Sequence, residues 1–335
     1  MKKYVVAIVG ATGVVGKELA DVLAEQQFPI ETLIPLASER SAGSVLQFKD
    51  EALSVQTLTE ASFEGVDFAL FSAGGSVSAK YVPHAVKSGA VCIDNTSHFR
   101  MFPDVPLVVP EVNAHALRTH KGIIANPNCS TAQLVLVLKA MHDVATLKRV
   151  VVSTYQSVSG AGKEAIEELE GQARRNLSGG EYPPKEFTKP IAFNLIPQID
   201  VFLDNGYTKE EIKMIEETRK IMGLPDLRIT ATAVRVPVFV GHSESINVEL
   251  EKPLSPDQAR EALSRFPGIA VMDDPKSHDY PTPREIAGQD PVFVGRIRQD
   301  MSVPHGLDLW CVADNLRKGA ALNAVQIAQA LIKQR

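Results

Sequence analysis

The chain has 335 residues, which at about 100–200 residues per domain suggests two domains, each large enough for its own core. With 44% hydrophobic and 22% charged residues and no low-complexity tract, its composition excludes disordered and fibrous classes. The 35 basic and 40 acidic residues leave a formal charge of -5, without the basic excess that nucleic-acid binders set against phosphates.

Tyr4 to Val9 is an apolar β-type run, "GATGVVG" a glycine turn, and Val14 to Gln26 a helix with Leu19, Val22 and Leu23 on one face. The opening "MKKYVVAIVGATGVVG" imitates a signal peptide. Gly10 to Gly16 interrupt it, however, and no small-residue cleavage site follows, so a strand is expected. Short apolar runs then recur, "VDFALFSAGG", "AVCIDNTS", "PLVVPEV" and "KGIIANPN", separated by segments such as "SAKYVPHAVKSG" that suit a crossover helix. A parallel α/β sheet is expected here. A helix over Ser130 to His142 leads into "LKRVVVSTYQSVSGAG", after which regular alternation stops. The Pro- and Gly-rich stretch "NLSGGEYPPKEFTKPIAFNLIPQ" precedes a helix that starts with a capping-box pattern, Thr208 and Glu211, and ends near Met222. Strand-like runs "LRITATAVRVPVFV" and "SESINVELE", a helix from Pro256 to Arg265 and the run "GLDLWCVADNL" complete an α+β domain. The closing "NLRKGAALNAVQIAQALIKQR" is an amphipathic helix able to pack back on the first domain. No apolar stretch approaches the roughly 20 residues that span a bilayer, so no membrane association is expected. Cys92, Cys129 and Cys311 are too few and too scattered for a disulfide framework or a zinc cluster, which fits a reducing cytoplasm.

A glycine turn between strand and helix lets a pyrophosphate reach backbone amides and the helix N-terminus. The spacing Gly10, Gly13, Gly16 departs from G-x-G-x-x-G, but it follows the first strand as that motif requires. At the end of the second strand, "LASERSAG" offers Ser38, Arg40 and Ser41 to a 2′-phosphate, which favours NADP over NAD despite Glu39. Cys92 and Cys311 sit inside apolar runs, where cysteine behaves as a small buried hydrophobe. Cys129 instead heads a helix, where exposed amides lower a thiol pKa and stabilise an oxyanion. Of eight histidines most read as surface or capping residues. His242 stands out because "RVPVFVGHSES" brings it to a glycine at a strand end. Arg235 lies seven positions earlier, so on one flat strand the two would face opposite ways unless Pro237 and Gly241 bend it. Glu210 and Lys213, three apart on a helix, share a face and by themselves read as a solvated pair.

Taken together, "GATGVVG", "LASERSAG", "ANPNCSTAQ", "TYQSVSGAG", "TKEEIK", "RVPVFVGHSESINVE" and "ADNLRKGAALNAVQIA" resemble bacterial aspartate-semialdehyde dehydrogenase along essentially the whole chain. The resemblance implies an α/β fold: a Rossmann-type NADP-binding domain over 1–128 plus 315–335, a second α+β catalytic and dimerisation domain over 129–314, and a C-terminal helix returning to the first. It implies Cys129 as nucleophile, giving a thiohemiacetal and then a thioester that exchanges with phosphate, and His242 as general acid/base. It further implies Arg235 on the substrate carboxylate, Gln156 orienting substrate beside the cysteine, and Glu210 on the ammonium. Arg100, Asn128 and Lys213 match phosphate positions. Gly10, Thr12, Gly13, Val14, Val15, Ser38, Arg40, Ser41, Ser72, Gly74, Ser159, Gly160 and Asn315 match cofactor positions. The implied direction is reductive, from L-4-aspartyl phosphate to L-aspartate 4-semialdehyde, toward lysine, diaminopimelate, methionine, threonine and isoleucine. Homodimers, often with further association, are implied, and no metal. The alternatives are N-acetyl-γ-glutamyl-phosphate reductase, whose acylated nitrogen gives Glu210 no charge to meet, a cysteine hydrolase, and a non-catalytic paralogue.

Overall fold

The strand, glycine turn and helix at the start of the chain open a six-stranded parallel sheet. The structure, a computed structural model, describes residues 2–334. The chain divides into two compact units, Met1–Asn128 with Ala320–Arg335, and Cys129–Gly319.

The first unit runs β1 (Tyr4–Val9), α1 (Val14–Glu25), β2 (Ile30–Ala37), a hairpin pair β3 (Val45–Phe48) and β4 (Glu51–Ser54), β5 (Gln56–Thr57), β6 (Phe68–Phe71), α2 (Gly75–Lys87), β7 (Val91–Asp94), α3 (Pro110–Asn113) and β8 (Ile123–Ala125). The sheet order is β5-β2-β1-β6-β7-β8, with every pair parallel. The order reverses beside β1, the switch point at which such sheets bind ligands. β6 and β7 are buried along their whole length, which is why they read as unbroken apolar runs. The C-terminal helix Leu322–Gln334 adds Leu322, Val325, Ile327 and Leu331 to the core that holds Leu19, Val22 and Ile93. Its apolar stripe therefore completes this unit. One expectation fails: "PLVVPEV" forms no strand, only a bridge from Leu107 to Ala125, followed by α3. Pro106 and Pro110 bracket the run and lack the N–H donors a ladder needs.

The second unit runs α4 (Cys129–Ala145), β9 (Leu147–Gln156), α5 (Lys163–Leu177), α6 (Lys209–Met222), β10 (Arg228–Arg235), β11 (His242–Leu250), α7 (Pro256–Arg265), β12 (Ile269–Val271), α8 (Pro283–Ile286), β13 (Val292–Asp300) and β14 (Gly306–Ala313). Its mixed sheet has the order β10-β9-β11-β14-β13-β12. Residues Ser130 to Leu138 of α4 are all buried, so this helix is covered on every side. β9 and β11 alternate, with Val150, Val152, Thr154 and Gln156 and then His242, Glu244, Ile246 and Val248 on the buried face. The capping box on α6 forms as expected: Glu211 N donates to Thr208 Oγ1 at 3.3 Å, and Thr208 N to Glu211 Oε2 at 2.7 Å. Gly223, at φ 66°, ends that helix in a left-handed cap. Among the described residues, no helix is long and apolar enough to cross a membrane.

Candidate active site

Cys129 is the first residue of α4, delivered by the loop Asn126-Pro127-Asn128 after β8. It is half-buried, whereas Cys92 and Cys311 are fully buried, and no disulfide joins the three. Burial, with Asp94 nearby, pushes the Cys92 thiol up, and burial with Glu244 does the same to Cys311. Those two are inert packing, as expected. Gly319 lies directly against the nucleophile candidate: a β-carbon there would sit 2.6 Å from Cys129 Cβ and 3.0 Å from its Cα. Nothing in the sequence marked that glycine out.

Three candidates meet at one end of the second sheet. Gln156 is the last residue of β9, and its register partner in β10 is Arg235. On the other side of β9, Ser243 pairs with Tyr155, which sets His242 beside Gln156. Arg235 and His242 therefore do not share one bent strand, as the sequence suggested. Arg235 closes β10, His242 opens β11, and β9 runs between them. The connection through Pro237 and Gly241, the latter at φ 96°, is a loop whose carbonyls at Val238 and Phe239 accept the amides of Val158 and Ser159.

His242 is fully buried, with Nδ1 accepting the Ser157 amide at 3.1 Å and Nε2 without a partner. Burial first, then the Arg235 charge, holds its imidazole well below the usual histidine range against the Gly241 backbone. Because the Ser157 N–H pins Nδ1 as acceptor, the neutral ring carries its hydrogen on Nε2. Asn315 fixes this arrangement from behind. Its Oδ1 accepts from Gly241 N at 2.8 Å, Ser157 Oγ at 3.0 Å and Ser159 Oγ at 3.2 Å. Arg235 donates from Nη1 to the Ser157 carbonyl at 2.6 Å, and its guanidinium lies 5.9 Å from the Phe187 ring centroid. Burial lowers the Arg235 pKa, while Glu210 and Cys129 oppose the shift.

Glu210, in the first turn of α6, is buried and accepts from Gln156 Nε2 at 3.3 Å and from Lys213 Nζ at 3.2 Å. Lys213 also donates to Asp200 at 2.7 Å. Against burial, Glu210 and Asp200 hold its ammonium above the usual range. The expected solvated pair is thus one edge of a partly buried triad, whose third member, Asp200, no sequence pattern marked.

In the first unit, Gly10 leaves β1 at φ 90°, where a β-carbon would come within 2.5 Å of the Ser72 carbonyl oxygen, and one on Gly16 within 2.1 Å of the Gly10 oxygen. Glycine is required at both places for β1, the turn and α1 to pack this closely. Gly13 caps α1 with no side-chain hydrogen bond and no acidic residue in the first turn, which suits a phosphate on the amides of Thr12 to Val15. Ser38 and Arg40 are exposed after β2 beside Ser41, and Gly74 is exposed before α2. Arg100 is buried, donating to the Asn126 carbonyl at 2.9 Å and the Asn95 carbonyl at 2.6 Å. Asn128, also buried, ends this unit. Two other histidines cap turns: His120 accepts from Gly122 N and His142 from Leu147 N. Among the described residues, no cluster of three or more His, Cys, Asp or Glu could hold a metal.

The family model described as "Semialdehyde dehydrogenase, NAD binding domain" matches residues 5–120, and "Semialdehyde dehydrogenase, dimerisation domain" matches 138–318. The aspartate-semialdehyde dehydrogenase of Aquifex aeolicus is 56% identical over 335 residues, covering 99% of this chain and 98% of the relative. That of Legionella pneumophila is 54% identical over 332 residues, covering 98% and 96%. Among solved structures, aspartate semialdehyde dehydrogenase II of Vibrio cholerae complexed with ASA matches with a TM-score of 0.97 at 49% identity, covering 99% of each chain.

Proposed function

Because this chain belongs to the aspartate-semialdehyde dehydrogenase family, oxidoreductases of amino-acid biosynthesis, we propose that it performs the reversible NADP-dependent reductive dephosphorylation of L-4-aspartyl phosphate to L-aspartate 4-semialdehyde. Residues 1–128 with 315–335 bind the cofactor in this reading, and 129–314 carry catalysis and dimerisation. The product feeds lysine, diaminopimelate, methionine, threonine and isoleucine synthesis in the cytoplasm.

Cys129 attacks the acyl carbon as thiolate, the C–O bond to phosphate breaks, and a thioester forms on sulfur. NADPH, when bound, supplies a hydride to the thioester carbon. Collapse of the thiohemiacetal oxyanion then breaks the C–S bond and returns Cys129 as thiolate, so electrons and protons balance. His242 is the acid/base of this sequence. Its Nε2 hydrogen donates to the substrate oxygen as negative charge develops there and is withdrawn as the carbonyl re-forms. Arg100, Asn128 and Lys213 seat the phosphate. Exposed Ser38 and Arg40, with half-buried Ser41 beside them, favour the 2′-phosphate of NADP, and Thr12 to Val15 receive its pyrophosphate.

The substrate class rests on Gln156, which lies next to the Arg235 strand end and donates to Glu210. A guanidinium and a carboxylate flanking one amide suit the carboxylate and ammonium of a free α-amino acid. An N-acetylated substrate offers no ammonium. Steady-state assays with L-aspartate 4-semialdehyde and N-acetylglutamate 5-semialdehyde test this directly: turnover of the first is expected, and preference for the second overturns the substrate assignment.

A further inference from the structure

Glu244 is fully buried two residues beyond His242 on β11, and neither of its carboxyl oxygens has a hydrogen-bond partner. Side chains alternate along a strand, so Glu244 shares the buried face with His242, beneath α4. Its register neighbours are Thr154 on β9 and Cys311 on β14. From α4, Gln133 lies one turn beyond Cys129, on the same side of the helix. Gln133 Nε2 is 3.4 Å from the His242 carbonyl oxygen and 3.8 Å from Cys311 Sγ. The titratable groups facing Glu244 are thus Cys311 and His242. Among the described residues it makes no ion pair, and no cation contributes to its shifted acidity.

Three acceptors in this cluster lack a donor: both Glu244 oxygens and Gln133 Oε1. Turning the Gln133 amide over does not cure this, because Oε1 would then meet the His242 carbonyl, acceptor against acceptor. A bare carboxylate here carries a large desolvation penalty, and a bare amide oxygen a smaller one. One proton on Glu244 relieves both, since the Gln133 side chain lies within hydrogen-bonding reach of Glu244 and its Oε1 can accept the resulting O–H.

We propose that Glu244 is a positioning residue that works as a neutral carboxylic acid, its O–H donating to Gln133 so that Gln133 Nε2 holds the His242 carbonyl. Cys129 and Gln133 belong to α4, and His242 and Glu244 to β11, so this contact fixes the spacing between the thiol and the imidazole. Burial drives the Glu244 carboxyl well above the usual range, and Gln133 is the opposing influence. The assignment rests on the reading of Cys129 and His242 as the reacting pair.

Glu244→Gln keeps the size and a donor and cannot ionise, whereas Glu244→Leu removes the donor. Glu244→Leu is expected to lower kcat by about 10- to 100-fold with little change in KM, the effect of misplacing reacting groups. Glu244→Gln should restore most of that loss. Infrared difference spectra of resting enzyme, wild type minus Glu244→Gln, taken above the usual carboxylate titration range, should show the C=O stretch of a protonated carboxyl. Carboxylate bands in its place, a Glu244→Gln variant as slow as Glu244→Leu, or a Glu244→Leu variant as fast as wild type overturns the proposal. If Glu244→Leu does not fold, the infrared band and the Glu244→Gln rate decide. The infrared reading needs no turnover. A protonated band in a wild-type enzyme inert toward the semialdehyde would therefore sink the proposed function and leave the proton on Glu244.

Discussion

Arg235 Nη1 and His242 Nε2 each lie 3.2 Å from the point that a β-carbon on Gly160 would occupy. They reach it from strands on opposite sides of β9, and the turn Val158–Ala161 passes over the gap they share. A guanidinium and an imidazole thus face one small space.

Gly160→Ala should push one of these groups aside by a few tenths of an ångström. The expected result is a drop in kcat/KM of about tenfold or more, since small misplacements of reacting groups are costly. Thermal stability should change little, because the displaced guanidinium is the far end of a flexible side chain. Steady-state kinetics beside a thermal melt check this, and unchanged kinetics would show that substrate does not use the gap.

The fold was legible where burial follows apolar period, and illegible where it does not. α5 escaped because its buried positions Ala165, Glu168, Leu169 and Gln172 keep helical spacing but are half polar. Glu168 and Gln172 face inward to accept the amides of Lys185, Glu186, Ile191 and Ala192, which anchors the Pro-rich segment beneath Phe187. β13 escaped because a register shift between Gly295 and Arg298, with Arg296 at φ 53°, breaks its alternation. Position singled out Cys129 at a helix start and His242 at a strand end as candidates, and the structure places both there. Their positioning partners Ser157, Asn315, Gly319 and Glu244 act through contacts distant in sequence, and neither composition nor spacing marks such contacts.

Lys213→Met removes the cation between Glu210 and Asp200. Hydrogen bonds to charged groups contribute about 1.5–3 kcal/mol, so KM for phosphate in the oxidative direction should rise about 10- to 100-fold. Initial rates against phosphate concentration measure this. A rise confined to KM for the cofactor would remove Lys213 from the phosphate site.

His242 links stability to pH. The ordinary histidine value is 6.5, and burial with Arg235 sets the folded value well below it. Between the two values the unfolded chain holds a proton that the folded chain refuses, so stability rises with pH in that window and is lost as pH falls below about 6.5. Melting temperatures of wild type and His242→Asn, compared from neutral to mildly acidic pH, should diverge, with wild type falling more steeply. Parallel curves would mean that His242 titrates normally in the folded protein.

The proposed NADP preference rests on Arg40 and its hydroxyl neighbours as receivers of the 2′-phosphate. Arg40→Ala should raise KM for NADP while leaving KM for NAD nearly unchanged, as initial-rate measurements with each cofactor would show. Equal rises for both would place Arg40 on the shared part of the dinucleotide.

The thioester route is tested most directly by absorbance of the reduced nicotinamide with L-aspartate 4-semialdehyde and NADP, with and without phosphate, for wild type and Cys129→Ala. Phosphate-dependent reduction by the wild type, abolished in Cys129→Ala, is the expected result. Reduction that persists in Cys129→Ala would contradict a covalent intermediate on that sulfur, and sustained reduction without phosphate would contradict phosphate as the acyl acceptor.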